Sequence, residues 1–330
     1  EGSRNWTLLN VEVANLLGAA RWGLESTPQR QRLALALLAR LDWTISKMPA
    51  HDIWQIYRRA IPIAQALPDV VEGAHVVYSA VGFPILRGLV SSGDGVDAEL
   101  LGDLSIADEL FAAHGYERGR SWVSQSRGSL FMLRGDPVTA QRHFEEALDR
   151  KRAADAPAYD LAITLNWLGE ACHSPGDYSG AETWYQQAIT TFPPRGEFES
   201  VWPLINLGQL AYETGLGHTS ATTLVEALDI IAPIDPYLTT LCLAGMAGAA
   251  LLLGHLRPSA RWFAAAQRSM ADLQSSPQPL AARAWAAIET GLREALSASD
   301  LADAAAEGAR LPLAEAVAEA MSWGRGIAGQ

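Results

Sequence analysis

Between Ser121 and Leu256 the small and apolar positions recur with a period near 40 residues. Glycines stand inside apolar runs at Gly128, Gly169, Gly208 and Gly248, at spacings of 41, 39 and 40. Twelve residues after each comes a small residue: Ala140, Ala181, Ser220 and Ala260. In the first three copies a large apolar residue follows four later (Phe144, Tyr185, Leu224), and an alanine three after that (Ala147, Ala188, Ala227). The fourth copy drifts to Ala264 and Gln267 at those places. Offsets of three, four and seven put these residues on one helical face, so each copy predicts a pair of helices. A glycine inside a helix costs about 1 kcal/mol against alanine. Close approach of the paired helix is the expected reason, with the small residue facing the glycine and the large one filling the gap to the next pair. Gly135, Gly176 and Gly215 fall seven after the first three glycines, where a left-handed cap ends a helix.

The flanking sequence also reads as helices. Residues 5–25 are amphipathic, with Leu9, Val13, Leu16, Leu17 and Ala20 on one face. Thr27-Pro28 opens a second helix to about Lys47, with proline at its first position. A third runs from His51 to Ala66 and repeats the phase weakly at Ile53, Tyr57 and Ala60; Pro68 ends it. Asp69 to Val90 reads as a helix that Pro84 must kink or break. After the turn at residues 93–95, Asp97 to His114 is a further helix. Arg257–Leu273 is the second helix of copy four, and after it Leu280–Leu296, Ser299–Glu307 and Leu313–Trp323 are helical, with Pro277 and Pro279 breaking the chain between the first two. No strand pattern appears. The expectation is an all-α chain of about fifteen helices in one continuous array.

The repeat resembles the tetratricopeptide repeat, whose pattern runs W-x2-L-G-x2-Y, then A-x3-F, then P. Copy two matches best, with Leu165, Leu168-Gly169, Cys172, Ala181, Tyr185, Ala188 and Pro193; copy three follows with Leu204, Leu207-Gly208, Ala211, Ser220, Leu224 and Ala227. The leading tryptophan is absent from both, and the period exceeds the usual length of about 34. The resemblance implies an α-solenoid, a right-handed superhelix of antiparallel helix pairs. Residues 1–115 would be degenerate N-terminal repeats, 116–275 the tetratricopeptide-like repeats and 276–330 capping helices.

Composition narrows the function. Hydrophobic residues make up 49% of the 330, enough for a packed interior, and a net charge of −12 disfavours nonspecific binding to nucleic acid or anionic membrane. The basic residues of 142–152 are interleaved with Glu145, Glu146 and Asp149. The basic residues are 23 arginines and two lysines, Lys47 and Lys151, a bias expected of a GC-rich genome. Cys172 and Cys242, at helical positions in separate repeats, read as buried thiols of a reducing, cytoplasmic compartment. The chain opens on Glu1-Gly2-Ser3 and reads as a piece of a longer protein. Pro236–Gly254 is 19 residues without a charge, long enough to span a bilayer. The repeat phase runs through it and no aromatic or basic belt brackets it, so it reads as a buried first helix and no membrane partner is expected.

Motifs for catalysis are wanting, and no cofactor or metal is expected. Residues 93–98 (Gly-Asp-Gly-Val-Asp-Ala) fit G-x-G-x-x-A but lack the preceding strand a dinucleotide site needs, and Gly88, forty before Gly128, suggests an earlier repeat instead. There is no G-x-x-x-x-G-K-[ST] or G-x-S-x-G, and the seven histidines never form H-x-x-x-H. The better candidate is a groove. In tetratricopeptide arrays the first helix of each pair lines the concave side. With the glycine as position 8, positions 2, 5, 9 and 12 share a face. They are Trp122, Gln125, Ser129 and Met132 in copy one, Ile163, Asn166, Glu170 and His173 in copy two, and Trp202, Ile205, Gln209 and Tyr212 in copy three. Such a mixed polar and aromatic strip suits a protein or peptide partner. Trp122 and Trp202 either line that groove or staple successive repeats; the polar positions either meet the ligand or are solvated.

Both ends of the chain resemble a bacterial family, the large STAND-type signalling NTPases and LuxR-like transcriptional regulators. The family's tail runs A-x-L-x-G-A-A-E, a helix with arginines, then F-x-x-A-W-A-E-G-R-A-L-S-L-E-E-A-V-x-x-A-L. Here Ser259–Ala266, Pro279–Arg293 and 301–321 follow it, with Glu307-Gly308-Ala309-Arg310-Leu311 and Leu313-Ala314-Glu315-Ala316-Val317 closest. The family's tryptophan is Ala305 here. Asn15–Trp22 resembles D-N-L-R-A-A-L-x-W, with Gly18 in place of the arginine. The resemblance implies a non-catalytic C-terminal sensor that receives an inducer or partner and controls an upstream P-loop ATPase of the same parent chain. Nucleotide and DNA would then be bound by other parts of that parent. A stand-alone scaffold and a receptor for a peptide or small molecule remain the alternatives.

Overall fold

The structure, a computed structural model, describes residues 2–45, 51–86, 94–192, 200–232 and 234–327. Among them are sixteen α-helices and no strand. The chain is an all-α, tetratricopeptide-like repeat of paired helices, one helix more than the periodicity predicts. It divides into two compact units, residues 1–156 and 157–330.

The first unit holds α1 (Gly2–Leu24), α2 (Pro28–Ile45), α3 (His51–Ala66), α4 (Val71–Leu86), α5 (Asp94–Ala113), α6 (Glu117–Leu133) and α7 (Pro137–Ala153). Neighbours in sequence pack together from α3 to α7, and α1 packs on α2. In α3 the weak phase is real: Ile53, Tyr57 and Ala60 are buried, and the Tyr57 hydroxyl donates to the Leu38 carbonyl at 2.7 Å. Pro84 does not break α4, which runs on to Leu86; so near a helix end a proline removes one bond and leaves the earlier turns intact. Residues 87–90 and Gly88 lie outside the described residues. So does Gly93, while Asp94 opens α5.

The second unit holds α8 (Ala158–His173), α9 (Tyr178–Thr191), α10 (Val201–Glu213), α11 (Gly217–Ile231), α12 (Pro236–Leu252), α13 (Leu256–Asp272), α14 (Pro279–Ala295), α15 (Ala298–Gly308) and α16 (Leu313–Ile327). The pairs α8–α9, α10–α11 and α12–α13 are the last three sequence copies. The uncharged stretch forms α12, twelve of whose residues are buried. Among the described residues no helix is long and apolar enough to cross a membrane. The expected Pro193 of copy two lies outside the described residues.

The turns follow one chemistry. Gly135, Gly176 and Gly215 have φ of 73°, 95° and 78°, and Gly115 and Gly254 share the conformation. At each, the glycine N–H bonds three residues back and the next N–H five back, as in Gly135 to Met132 and Asp136 to Phe131. This double bond closes the open carbonyls of the helix end. Asp136 and Asp177 then cap the following helix by accepting from Thr139 and Gly180 N–H.

The reason for the helical glycines differs from the one expected. A Cβ built at Gly128 would lie 2.5 Å from Cε1 of Phe144, and one at Gly208 would lie 2.6 Å from Cγ of Leu224; at Gly169 it would strike the Tyr185 ring. The large residue sixteen on therefore covers each glycine, not the small residue twelve on. Ala140, Ala181, Ser220 and Ala260 are all buried. In the fourth copy Ala264 is too short to reach, and Ile288 of α14 and Tyr212 of α10 close over Gly248, each 3.0 Å from a built Cβ.

Candidate functional site

In the first unit the groove positions of α6 are occupied with internal packing. Trp122 stands among His75, Tyr78, Phe111 and Tyr116 at ring-centroid separations of 5.6, 5.9, 6.3 and 5.8 Å. The Arg118 guanidinium lies 5.3 Å from its ring centre. Trp122 thus ties α6 to α4 and α5. Burial lowers the pKa of His75 in the same cluster, favouring the neutral ring. Gln125 Oε1 accepts from Nζ of the buried Lys151 at 2.7 Å, Ser129 Oγ donates to the Gln125 carbonyl at 3.2 Å, and Met132 is half-buried near the end of α6.

In the second unit the polar groove positions of α8 and α10 meet each other. Asn166 Nδ2 donates to Glu170 Oε1 at 2.8 Å, and Asn206 Nδ2 donates to both Asn166 Oδ1 and Glu170 Oε1 at 3.1 Å. One turn on, His173 Nε2 lies 3.2 Å from Glu213 Oε2 and its Nδ1 lies 3.3 Å from the Tyr185 hydroxyl. Gln209 Nε2 donates to Glu213 Oε1 at 3.1 Å and to the Leu280 carbonyl at 2.8 Å. Arg283 of α14 donates to Glu213 Oε2 at 2.7 Å and to the Ser174 carbonyl at 3.1 Å. Asn166, Glu170, His173, Asn206 and Gln209 are all buried, so these side chains form a seam between helices and not a solvated strip.

The two carboxylates of the seam are driven apart electrostatically. Burial raises Glu170 to about 7, against the pull of the two asparagine amides, because no cation compensates its charge. Burial also acts on Glu213, but hydrogen bonds from His173 and Gln209 and the Arg283 charge outweigh it and hold the group at about 2. Tyr185, His173 and Glu213 form a chain in the order of a nucleophile–base–acid relay. Tyr185 and His173 are nonetheless fully buried, and burial raises the Tyr185 pKa, so the chain binds α8, α9 and α10 together. Among the described residues no three His, Cys, Asp or Glu side chains converge as a metal site requires. Cys172 and Cys242 are buried, and burial raises the Cys242 pKa.

The apolar positions lie beside the seam. Ile205 is buried, and Trp202 and Tyr212 are half-buried against the unit's core. Ile205, Gln209 and Tyr212 of α10, Leu241 and Gly245 of α12, and Ala281, Ala284, Trp285 and Ile288 of α14 enclose a cleft of about 20 Å³, room for about one water. Ile163 is half-buried on α8. The sequence reading missed Asn206, Glu213 and Arg283. The first two had a signal: Asn166 and Asn206, and His173 and Glu213, are each 40 residues apart, one repeat period. Arg283 had none, since α14 leaves the period.

Comparisons agree with this architecture. The tetratricopeptide repeat profile matches residues 119–193, which span α6 to α9. This is a tetratricopeptide-like helical repeat protein. No curated protein matches the chain in sequence. Its fold is similar to that of BtubC (BKLC) from P. vanneervenii, at 18% identity and TM-score 0.52, over 68% of this chain and 92% of that one. It is likewise similar to a Rap protein complexed with competence and sporulation factor, at 15% identity and TM-score 0.54, over 82% of this chain and 78% of that one.

Proposed function

We propose that this chain is a non-catalytic sensor and protein-interaction module, the C-terminal inducer- or partner-binding arm of a STAND-type signalling ATPase or transcriptional regulator. The observation that carries the reading is how the tail motifs pack. Glu307 pairs with Arg257 and Arg261 of α13, and Glu319 pairs with Arg261 and accepts from Trp262 Nε1 at 3.4 Å. Gly308 lies directly against the Arg261 backbone, where any Cβ would collide with its carbonyl. Ser259–Ala266 and the segment around Glu307-Gly308 are the two stretches that resemble the family's tail. Their mutual packing supports treating them as one evolved unit that closes the array, with residues 276–330 as capping helices beyond the repeats of 116–275 and the degenerate ones of 1–115.

In this reading the upstream NTPase of the parent chain is the switch, and this arm restrains it until a partner binds. The test is nucleotide hydrolysis by the full product of the gene, with and without residues 6–327. Removal of the arm is expected to raise basal turnover several-fold. A full product that hydrolyses no nucleotide, or one whose turnover ignores the deletion, overturns the reading. A second reading, a receptor for a peptide, is favoured by the polar seam flanked by Trp202 and Tyr212 and by the likeness to a Rap protein seen with its factor. A stand-alone scaffold would need the same face and no switch.

A further inference from the structure

The inner face of α10 and α12 is covered by the chain's own α14, and α14 is held there lightly. Three of its 17 residues are buried: Ala284, Ile288 and Leu292. The helices beneath and beside it are different: nine of 13 in α10, eleven of 16 in α8 and twelve of 17 in α12. The polar hold on α10 and α8 is a pair of bonds from Arg283, to Glu213 and the Ser174 carbonyl, and one from Gln209 to the Leu280 carbonyl. The connector before α14, residues 273–278, is exposed from Leu273 to Ser276 and contains Gln274 at φ 50° and Pro277. On the other side, α15 and α16 are fixed independently on α13 and on α11, through Gly308 against Arg261 and Gly324 against Val225. The unit therefore keeps both flanks of α14 anchored, while α14 itself has fewer buried residues to lose by leaving than α8, α10 or α12.

We propose that α14 is an internal occupant of the partner-binding face of α10 and α12, and that the external partner is an amphipathic helix of the same chemistry. That partner would present an arginine to Glu213 and an aromatic and aliphatic pair, in the places of Trp285 and Ile288, to the cleft of Ile205, Tyr212, Leu241 and Gly245. This deepens the sensor reading, on which it rests, by naming the partner class. The physics is competition for one face: a helix offering the same contacts displaces α14 only as far as α14's own occupancy is weak. Glu213 is suited to select the arginine, because it stays ionised and is already oriented by His173 and Gln209.

The probe is a fluorescein-labelled peptide of residues 278–296, titrated with the full chain and read by fluorescence polarisation. The unaltered chain should bind it weakly, since the face is taken. Arg283→Glu in the chain sets a carboxylate against Glu213 and should tighten peptide binding at least tenfold, while the same change in the peptide should abolish it. Equal binding by both chains, or binding indifferent to the arginine in the peptide, overturns the proposal. Hydrogen exchange on the unaltered chain is the check that needs no variant: α14 amides should exchange at least tenfold faster than those of α12. Exchange of α14 and α12 together would overturn it too. Neither readout involves nucleotide turnover, so failure here leaves the sensor reading standing and is told apart from a failure of that reading in the turnover test.

Discussion

Replacing Gly128 by alanine and replacing Gly102 by alanine should shift stability in opposite directions, although both glycines sit inside helices of the first unit. At Gly102 nothing lies within 4 Å of a built Cβ. The substitution there gains helix propensity alone, about 1 kcal/mol. At Gly128 the Cβ would lie 2.5, 2.7 and 2.9 Å from three ring carbons of Phe144. Ordinary contact needs about 3.5 Å or more, so the ring must retreat by about 1 Å. Phe144 is fully buried, and close-packed interiors leave few voids for such a ring to move into. Overpacking of this kind costs about 1–3 kcal/mol, and a fully enclosed ring belongs near the top of that range. Subtracting the propensity gain leaves Gly128→Ala destabilised by about 2 kcal/mol. Urea unfolding followed by circular dichroism reads both variants as shifts of the midpoint at constant slope. The same Gly128→Ala change in a Phe144→Ala background should turn from costly to favourable, which isolates the ring contact. Shifts of equal sign at Gly102 and Gly128, or a Gly128 effect that survives loss of the ring, would refute the packing account of the repeat glycines.

Other consequences follow from the seam and the tail. Glu170 has a raised folded pKa, so its ionisation opposes folding progressively from about pH 4.5 up to about 7. Glu170→Gln should therefore stabilise by about 2 kcal/mol at pH 8 and by almost nothing at pH 4, measured by urea midpoints at the two pH values. Glu213 has a depressed folded pKa, so its contribution is present above about 4.5 and is lost as pH falls towards about 2. Glu213→Gln should flatten the acid limb of the stability profile over that window. Gly308→Ala forces a Cβ against the Arg261 backbone, which cannot rotate away as a side chain can, and should cost about 3 kcal/mol; differential scanning calorimetry with a hydrogen-exchange map should show α15 released from α13.

The fold was legible because backbone requirements repeat in the sequence. Gly135, Gly176 and Gly215 were placed at turns from spacing alone, and their positive φ values follow from the helix-ending geometry only glycine adopts without strain. The phase of Gly128, Gly169 and Gly208 was equally visible, but its cause was assigned to the wrong partner. Spacing places two residues on one face without saying which side chain is long enough to cross the gap, and Phe144, Tyr185 and Leu224 are. Of the groove positions expected on α8 and α10, Asn166, Glu170, His173, Ile205 and Gln209 are buried and Ile163, Trp202 and Tyr212 half-buried. A polar residue such as Asn166 or His173 is ordinarily solvated, and only pairing with a partner one period away makes its burial affordable. The contact of Asn166 with Asn206 was therefore written in the 40-residue spacing, while the contact of Arg283 with Glu213 depends on α14 leaving the repeat path and had no trace in the pattern. Trp122, equally balanced between staple and groove in the sequence, lies among four rings of α4, α5 and the turn before α6, a contact no spacing announced.

The measurement that tests the account most directly is the mass of the native gene product, captured from cells that encode it with an antibody to this chain and analysed by mass spectrometry. The account predicts a product much larger than 35.5 kDa, with peptides from an upstream P-loop ATPase. A product near 35.5 kDa would contradict it and leave the helical array to act alone.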